Sequence, residues 1–312
     1  MWLVNIIKQK YRRRTTCFEN IADEWLEYKR ASIKESTYYK YTYTINKYLK
    51  QILKGVTLEE LEGYNFNEVS RKLSESLSAK TIKEIINVLK SILKFVELKY
   101  NVKINTDLIT SPKVLQEELR ILSKREKTRL EQYCLKEKSL RCIGILVCLF
   151  TGMRIGEICA LKWENIDLDK KVIYVKKTLQ RIYDAENKTK IIIDTPKTRN
   201  SVRSIPISNK LYEILKPLKQ KHKKEDFFLT GSAEKFIEPR SYQYFFKDCL
   251  KKSRIKDYKF HILRHTFATN CIEVGMDIKS LSEILGHSSV DITLNRYVHS
   301  SYKIKKKFLE KL

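Results

Sequence analysis

HILRHTFATNCIEVGMDIKSLSEILGHSSVDITLNRYVHS, residues 261–300, is the stretch on which the reading turns. It places His261 and Arg264 three apart, Leu285-Gly286-His287 further on, and Tyr297 ten residues after His287. Positions three apart on a helix share a face, so His261 and Arg264 can reach one ligand. A Gly-His step that ends one helix, followed by Ser288 opening the next, sets His287 at a junction where backbone N–H groups can meet an anion. Two histidines, an arginine and a tyrosine do not make a common metal site, because no carboxylate or thiolate completes the set. They do suit a phosphodiester. Cations can hold the phosphate, an imidazole can carry a proton, and a phenol can attack phosphorus.

Working outward, TGMRIGEICAL (residues 151–161) sets Arg154 in an apolar helical frame, with Glu157 three residues on and able to orient an arginine or histidine. TPKTRNSVRSIPI (residues 195–207) carries Lys197 between two β-rich runs. Taken together, HxxR, LGH with its tyrosine, the arginine box and the lysine hairpin resemble the tyrosine recombinase (phage integrase) family. They occur in the expected order over roughly residues 119–299. The fit is to a Xer-like resolvase or a mobile-element integrase.

The resemblance implies a role for each residue. Arg154 and Arg264 would hold the non-bridging phosphate oxygens, since guanidinium groups bind them bidentately and stay charged. Tyr297 would be the nucleophile and His261 its proton acceptor. His287 would donate to the phosphate, and Lys197 would protonate the departing 5′ oxygen. The product is a 3′-phosphotyrosyl link that a partner 5′ hydroxyl reverses. No ATP, metal or other cofactor is expected. His265 and His299 have no matching role. Type IB topoisomerases share the constellation, but LGHSS and the short tail after Tyr297 fit recombinases better. A non-catalytic DNA-binding relative would not be expected to keep all six residues.

The whole chain agrees with a polyanion partner. Its 312 residues suffice for about two domains. Sixty-three Lys+Arg against 37 Asp+Glu give a net charge of +26, which points to nucleic acid ahead of a membrane surface. A hydrophobic content of 42% allows real cores. Seven cysteines without a CxxC pattern read as free thiols of a reducing compartment. The basic charge at the start follows its apolar run, unlike a signal peptide, and no apolar run is long enough to span a membrane. These readings predict a cytoplasmic, nucleoid-associated protein.

The expected fold is mainly α with a small antiparallel β-sheet. Residues 1–14 read as a basic tail. Residues 15–105 read as an all-helical core-binding (SAM-like) DNA-binding domain, with a capping box at Thr16-x-x-Glu19 and helices near 36–53, 67–76 and 79–99. Residues 106–118 read as a linker containing Ser-Pro. Residues 119–312 read as the α+β catalytic domain, with a basic tail from 301. Within it a capping box at Ser123-x-x-Glu126 opens helices near 124–136 and 139–151. One three-stranded sheet over 171–207 is expected to put Lys197 at a hairpin turn, and helices near 209–220, 239–253, 260–274, 277–285 and 289–297 follow. With only residues 1–14 before the first helical stripe, the extra arm-binding domain of some integrases is not expected. The family further implies double-stranded DNA with core recombination sites, a homo-tetramer on that DNA, and directionality or host factors.

Overall fold

The computed structural model describes residues 15–114, 119–184, 188–194, 202–297 and 309–310. The chain divides into two compact units. One holds residues 1–117 together with 182–190, and the other holds 118–181 with 191–312.

The first unit is helical apart from the strand residues 182–184 and 188–190. α1 (Phe18–Arg30) buries Phe18, Ile21, Ala22, Trp25 and Leu26, the stripe expected of it. The capping box foreseen at Thr16 does not form. Cys17 is the N-cap without a side-chain bond, and the Glu19 carboxylate instead accepts from the Gly55 N–H. The α1 entrance is tied down by backbone pairing, with Phe18 N–H donating to Val56 O, which leaves the local cap unneeded. α2 (Glu35–Thr44) runs on through a π turn (Ile45–Leu49) to Ile52. α3 (Leu58–Leu61) is a short helix the periodicity did not announce, closed by a Thr57/Glu60 capping box. α4 (Asn67–Ser74) and α5 (Ala79–Tyr100) complete the unit, and α5 packs Ile82, Ile85, Ile86, Leu89, Leu93 and Val96 inward. In the Lys/Tyr-rich α2 and its continuation to Ile52, Tyr38, Tyr41 and Tyr48 pack against this core, while Lys40 and Lys50 pair with Glu84 and Asp23.

The second unit opens with α6 (Lys124–Glu137), whose Ser123/Glu126 capping box is formed as expected. α7 (Leu140–Thr151) is apolar on nearly every side and forms the centre of the main core. α8 (Ile155–Cys159) follows after a turn. The strands are β1 (Ile166–Asp167), β2 (Val172–Val175), β3 (Thr178–Asp184), β4 (Lys188–Asp194) and β5 (Arg203–Pro206). They do not form the single sheet expected over 171–207. β1, β2 and β5 make one antiparallel sheet, with Ile173 opposite Ile205, and β3 and β4 form a separate two-stranded sheet. The break falls at Lys176-Lys177, in the middle of what reads as one apolar run. β2 alternates its burial and sets Ile173 and Val175 in the core, so β5, which buries Ile205, pairs with it across a long connection. Lys197 lies outside the described residues.

Among the described residues the unit ends with the helices α9 (Asn209–Lys219), α10 (Pro239–Lys252), α11 (His261–Glu273), α12 (Ile278–Leu285) and α13 (Val290–Tyr297). Their caps explain their bounds. Ser208 and Asp277 accept from N3 backbone N–H groups, and Pro239 occupies the first turn of α10. Among the described residues no helix is long and apolar enough to cross a membrane.

Candidate active site

The site is built on the C-terminal end of α12. Gly286 takes the left-handed conformation (φ 65°). Its N–H donates to Glu283 O and the His287 N–H donates to Ser282 O, the pair of bonds that defines a Schellman ending. This turn is why Leu285-Gly286-His287 reads as a unit. It swings His287 off the helix axis and leaves the carbonyls of the last turn without helical partners.

Three arginines satisfy those carbonyls. Arg203 Nε donates to Ile284 O, Arg264 Nη2 to Leu285 O at 2.9 Å, and Arg154 Nη2 to Gly286 O at 3.0 Å. The negative end of the α12 dipole favours these cations. Three side chains from β5, α11 and the N-cap of α8 are thereby gathered on one helix end.

Arg264 is only 2% exposed. Its Nη1 also donates to Gly152 O at 2.9 Å, where Gly152 caps α7 at φ 68°. A side chain at Gly152 would be strained and would meet Phe267 and Leu285 at 2.6 and 2.8 Å, so the close approach of α7, α11 and α12 depends on glycine there. Burial, and then the Arg154 charge, lower Arg264 to about 9, which still leaves it charged at neutral pH.

Arg154 is the N-cap of α8 and keeps 33% of its side chain exposed. Glu157 accepts from the Arg154 N–H at 2.8 Å and from its Nη1 at 2.7 Å. The same carboxylate accepts from Arg203 Nη1 at 3.0 Å and Nη2 at 2.9 Å. Burial alone would raise the Glu157 carboxyl, but the bonds and charges of Arg203 and Arg154 overcome it and hold it down at about 2. Glu157 thus pairs with two arginines, with Arg154 as an i,i+3 ion pair at the start of α8 and with Arg203 from β5.

Tyr297 is 7% exposed, with its ring in a small core of Ala268, Cys271, Leu281 and Leu285. Burial raises the phenol above its ordinary value, partly offset by the charges of Arg264 and Arg296. The His287 ring lies parallel to that of Tyr297, 6.3 Å between centroids, and its Nδ1 is 2.7 Å from Thr293 Oγ1. His261 packs edge-on against His265, with centroids 5.0 Å apart. The Tyr297 hydroxyl lies 2.9 Å from His265 Nδ1 and also accepts from Arg264, and none of its described hydrogen bonds is to His261. Burial and the surrounding positive charge hold His261 at about 4 and His265 and His287 at about 3, so all three imidazoles are neutral at pH 7. His261 keeps an exposed edge, and for it the nearby charges of Arg264, Arg296 and Arg154 add to the effect of burial.

The structure thus brings together Arg154, Glu157, His261, Arg264, His287 and Tyr297. Sequence reasoning missed Arg203 and His265. His265 was within reach of it, since it lies four after His261 and so shares its helical face. Arg203 stands in the SVRSIPI run that was read for its lysine neighbour, and nothing in the run itself marked it for burial.

These depressed imidazoles make stability depend on pH. A histidine that is neutral when folded at about 3, against an ordinary 6.5, takes up a proton on unfolding between those values. Stability is then full above pH 6.5 and falls as pH drops. The buried His265 alone contributes a slope of about 1.4 kcal/mol per pH unit in that window. Urea unfolding at pH 7.5 and 5.0 should show the loss, and equal midpoints at the two pH values would contradict it.

The phage integrase family model matches residues 117–303, and the phage integrase N-terminal SAM-like domain matches residues 17–63. The XerC-like tyrosine recombinase of Caldanaerobacter subterraneus subsp. tengcongensis is 29% identical over 92% of this chain and 80% of its own length. The ICEBs1 integrase of Bacillus subtilis is 24% identical over 96% of this chain and 84% of its own. In fold, the Tn1549 transposon integrase solved with a circular-intermediate DNA superposes with a TM-score of 0.77, at 22% identity, over 96% of this chain and 100% of that one. On the match over residues 117–303, the chain belongs to the phage integrase family, the site-specific tyrosine recombinases.

Proposed function

We propose that this recombinase cuts and rejoins duplex DNA with Tyr297 as its nucleophile, to integrate or excise a mobile element or to resolve chromosome dimers. The observation that carries the reading is the single helix end on which Arg154, Arg264 and the Gly286-His287 turn converge beside the Tyr297 hydroxyl.

A guanidinium has more N–H donors than Arg264 uses on Gly152 O and Leu285 O, so it can hold a phosphate oxygen while staying anchored. Arg154, partly exposed, takes the other non-bridging oxygen. His261, neutral at pH 7, accepts the phenolic proton. The phenolate oxygen bonds to phosphorus, the bond from phosphorus to the 5′ oxygen breaks, and Lys197 gives that oxygen its proton. His287, whose Nδ1 is 2.7 Å from Thr293 Oγ1, donates through Nε2 to the phosphate. The 5′ hydroxyl of a partner strand then attacks the phosphotyrosyl link, so bond energy is retained. Recombination of two duplexes proceeds on a homo-tetramer, in the cytoplasm on nucleoid DNA, with directionality or host factors choosing the outcome.

The test is strand transfer. DNA sites recovered by sequencing protein-bound fragments from the host are paired, one nicked and one carrying a labelled 5′ hydroxyl end, and incubated in EDTA without ATP. Joined product supports the reading. Relaxation of supercoils without joining points to a topoisomerase, and binding without cleavage to a non-catalytic relative.

Lys197→Ala should lower the cleavage rate by roughly 10²- to 10⁴-fold, the usual contribution of a general acid. A 5′-thio leaving group needs little protonation and should restore the rate. Failure of that rescue would assign the proton to another group.

A further inference from the structure

His265, to which motif spacing gives no role, holds the Tyr297 hydroxyl. Its Nδ1 lies 2.9 Å from the phenolic oxygen, and its Nε2 lies 3.4 Å from Arg296 Nη2. A guanidinium only donates, so Nε2 must turn its lone pair toward Arg296. The ring is neutral at pH 7, because burial and the charges of Arg296 and Arg264 oppose a second proton. A neutral imidazole carries one N–H, and with Nε2 accepting, that N–H is on Nδ1.

We propose that His265 is a positioning residue that donates Nδ1–H to the Tyr297 oxygen, and that Arg296 fixes the tautomer that lets it do so. The inference rests on Tyr297 being the nucleophile. A donor aimed at that oxygen stabilises the negative charge that grows on it during attack, in a pocket that excludes most water. It also turns the phenolic hydrogen away from His265. The phenolic proton is then left to an acceptor other than His265, the His261 of the proposed function, which packs edge-on against His265, as the oxygen bonds to phosphorus and the 5′ oxygen departs with a proton from Lys197. The groups around the pair are His261, His265 and Arg264 on α11, His287 after α12, and Arg296 on α13, with Arg154 close by and Glu157 as the carboxylate among them. Among these described groups no carboxylate competes for the His265 N–H.

Asparagine separates a donor from a base, since its amide N–H₂ can stand where Nδ1–H stood but has no useful basicity. On a nicked duplex of the target site, His265→Leu should slow covalent adduct formation by about 10- to 100-fold, the scale of one hydrogen bond to a charged group. His265→Asn should recover most of that loss. Histidine ¹⁵N spectra of the full chain, with His265 assigned from the Asn variant, should show Nδ1 protonated and Nε2 bare. Arg296→Met should then mix the tautomers. The proposal is overturned if Asn is as slow as Leu, because the ring's basicity would then be what matters. It is also overturned if Leu matches the wild type, or if the spectra place the proton on Nε2. The spectra need only the wild type and the Asn variant used for assignment, and decide the matter even if the Leu variant does not fold. Tyr297→Phe is run alongside. An adduct persisting in it would overturn the nucleophile assignment itself, a failure separate from any behaviour of His265.

Discussion

Tyr297→Phe is expected to bind its DNA site as the wild type does and to form no covalent adduct with it. The substitution removes one oxygen and leaves the ring packed among Ala268, Cys271, Leu281 and Leu285. Its structural cost is the loss of the hydrogen bonds to His265 Nδ1 and Arg264, about 1–3 kcal/mol. The net charge of +26, which favours a polyanion, is unchanged by removing a buried phenol. Covalent chemistry, by contrast, has no second tyrosine at this cluster among the described residues. The arginines cannot act as nucleophiles, and among the described residues the Tyr297 oxygen is the hydroxyl set on both the imidazoles and the guanidinium pair. Electrophoresis in SDS after incubation with a nicked duplex reads the adduct, and a gel-shift titration reads binding. An undiminished adduct band would contradict the account.

Glu157→Ala should cost about 3–5 kcal/mol of stability, the scale for removing one partner of a buried ion pair. Glu157 is 3% exposed and is shared by Arg154 and Arg203, so its loss leaves two guanidinium groups without their carboxylate, one of them itself buried. The sign follows from its depressed carboxyl. Folded at about 2 against an ordinary 4.5, it contributes fully above 4.5 and the contribution disappears as pH falls toward 2. The alanine variant should therefore be weakest relative to wild type at neutral pH and approach it in acid. Glu157→Gln keeps some of the hydrogen bonds and should fall between the two. Cleavage should drop in both variants, because Arg154 loses the group that aims it. Urea unfolding at pH 7 measures the first effect, and a loss under 1 kcal/mol would show the network to be incidental.

The helices that carry the site were legible because their ends are written in local chemistry. Ser123 with Glu126, Ser208, Asp277 and Gly286 each cap a backbone end that the residue type announces, and α6 to α13 fall close to where those signals put them. Arg154, Arg264, His287 and Tyr297 were legible for a related reason, since each stands at fixed spacing from such a landmark. What could not be read was non-local. The pairing of β2 with β5 is decided by which strand buries its Ile against Ile173, not by the order of apolar runs. Thr16 carries a sound capping pattern, yet Glu19 is drawn to Gly55 across the fold. Arg203 looks like any arginine in a basic chain until β5 is seen to deliver it to Glu157 and the end of α12. His265 is hidden for the same reason. Its partner Tyr297 lies on another helix, 32 residues on.

The most direct test of the account is to identify the atom to which DNA becomes joined. Wild-type protein is incubated in EDTA with a nicked duplex of its own site, the adduct is digested with protease, and the DNA-linked peptide is sequenced by mass spectrometry. The account predicts a 3′ phosphate on the peptide that contains Tyr297, with a free 5′ hydroxyl on the released strand. A link through another residue such as Tyr302, or a 5′ phosphate in the bond, would contradict it.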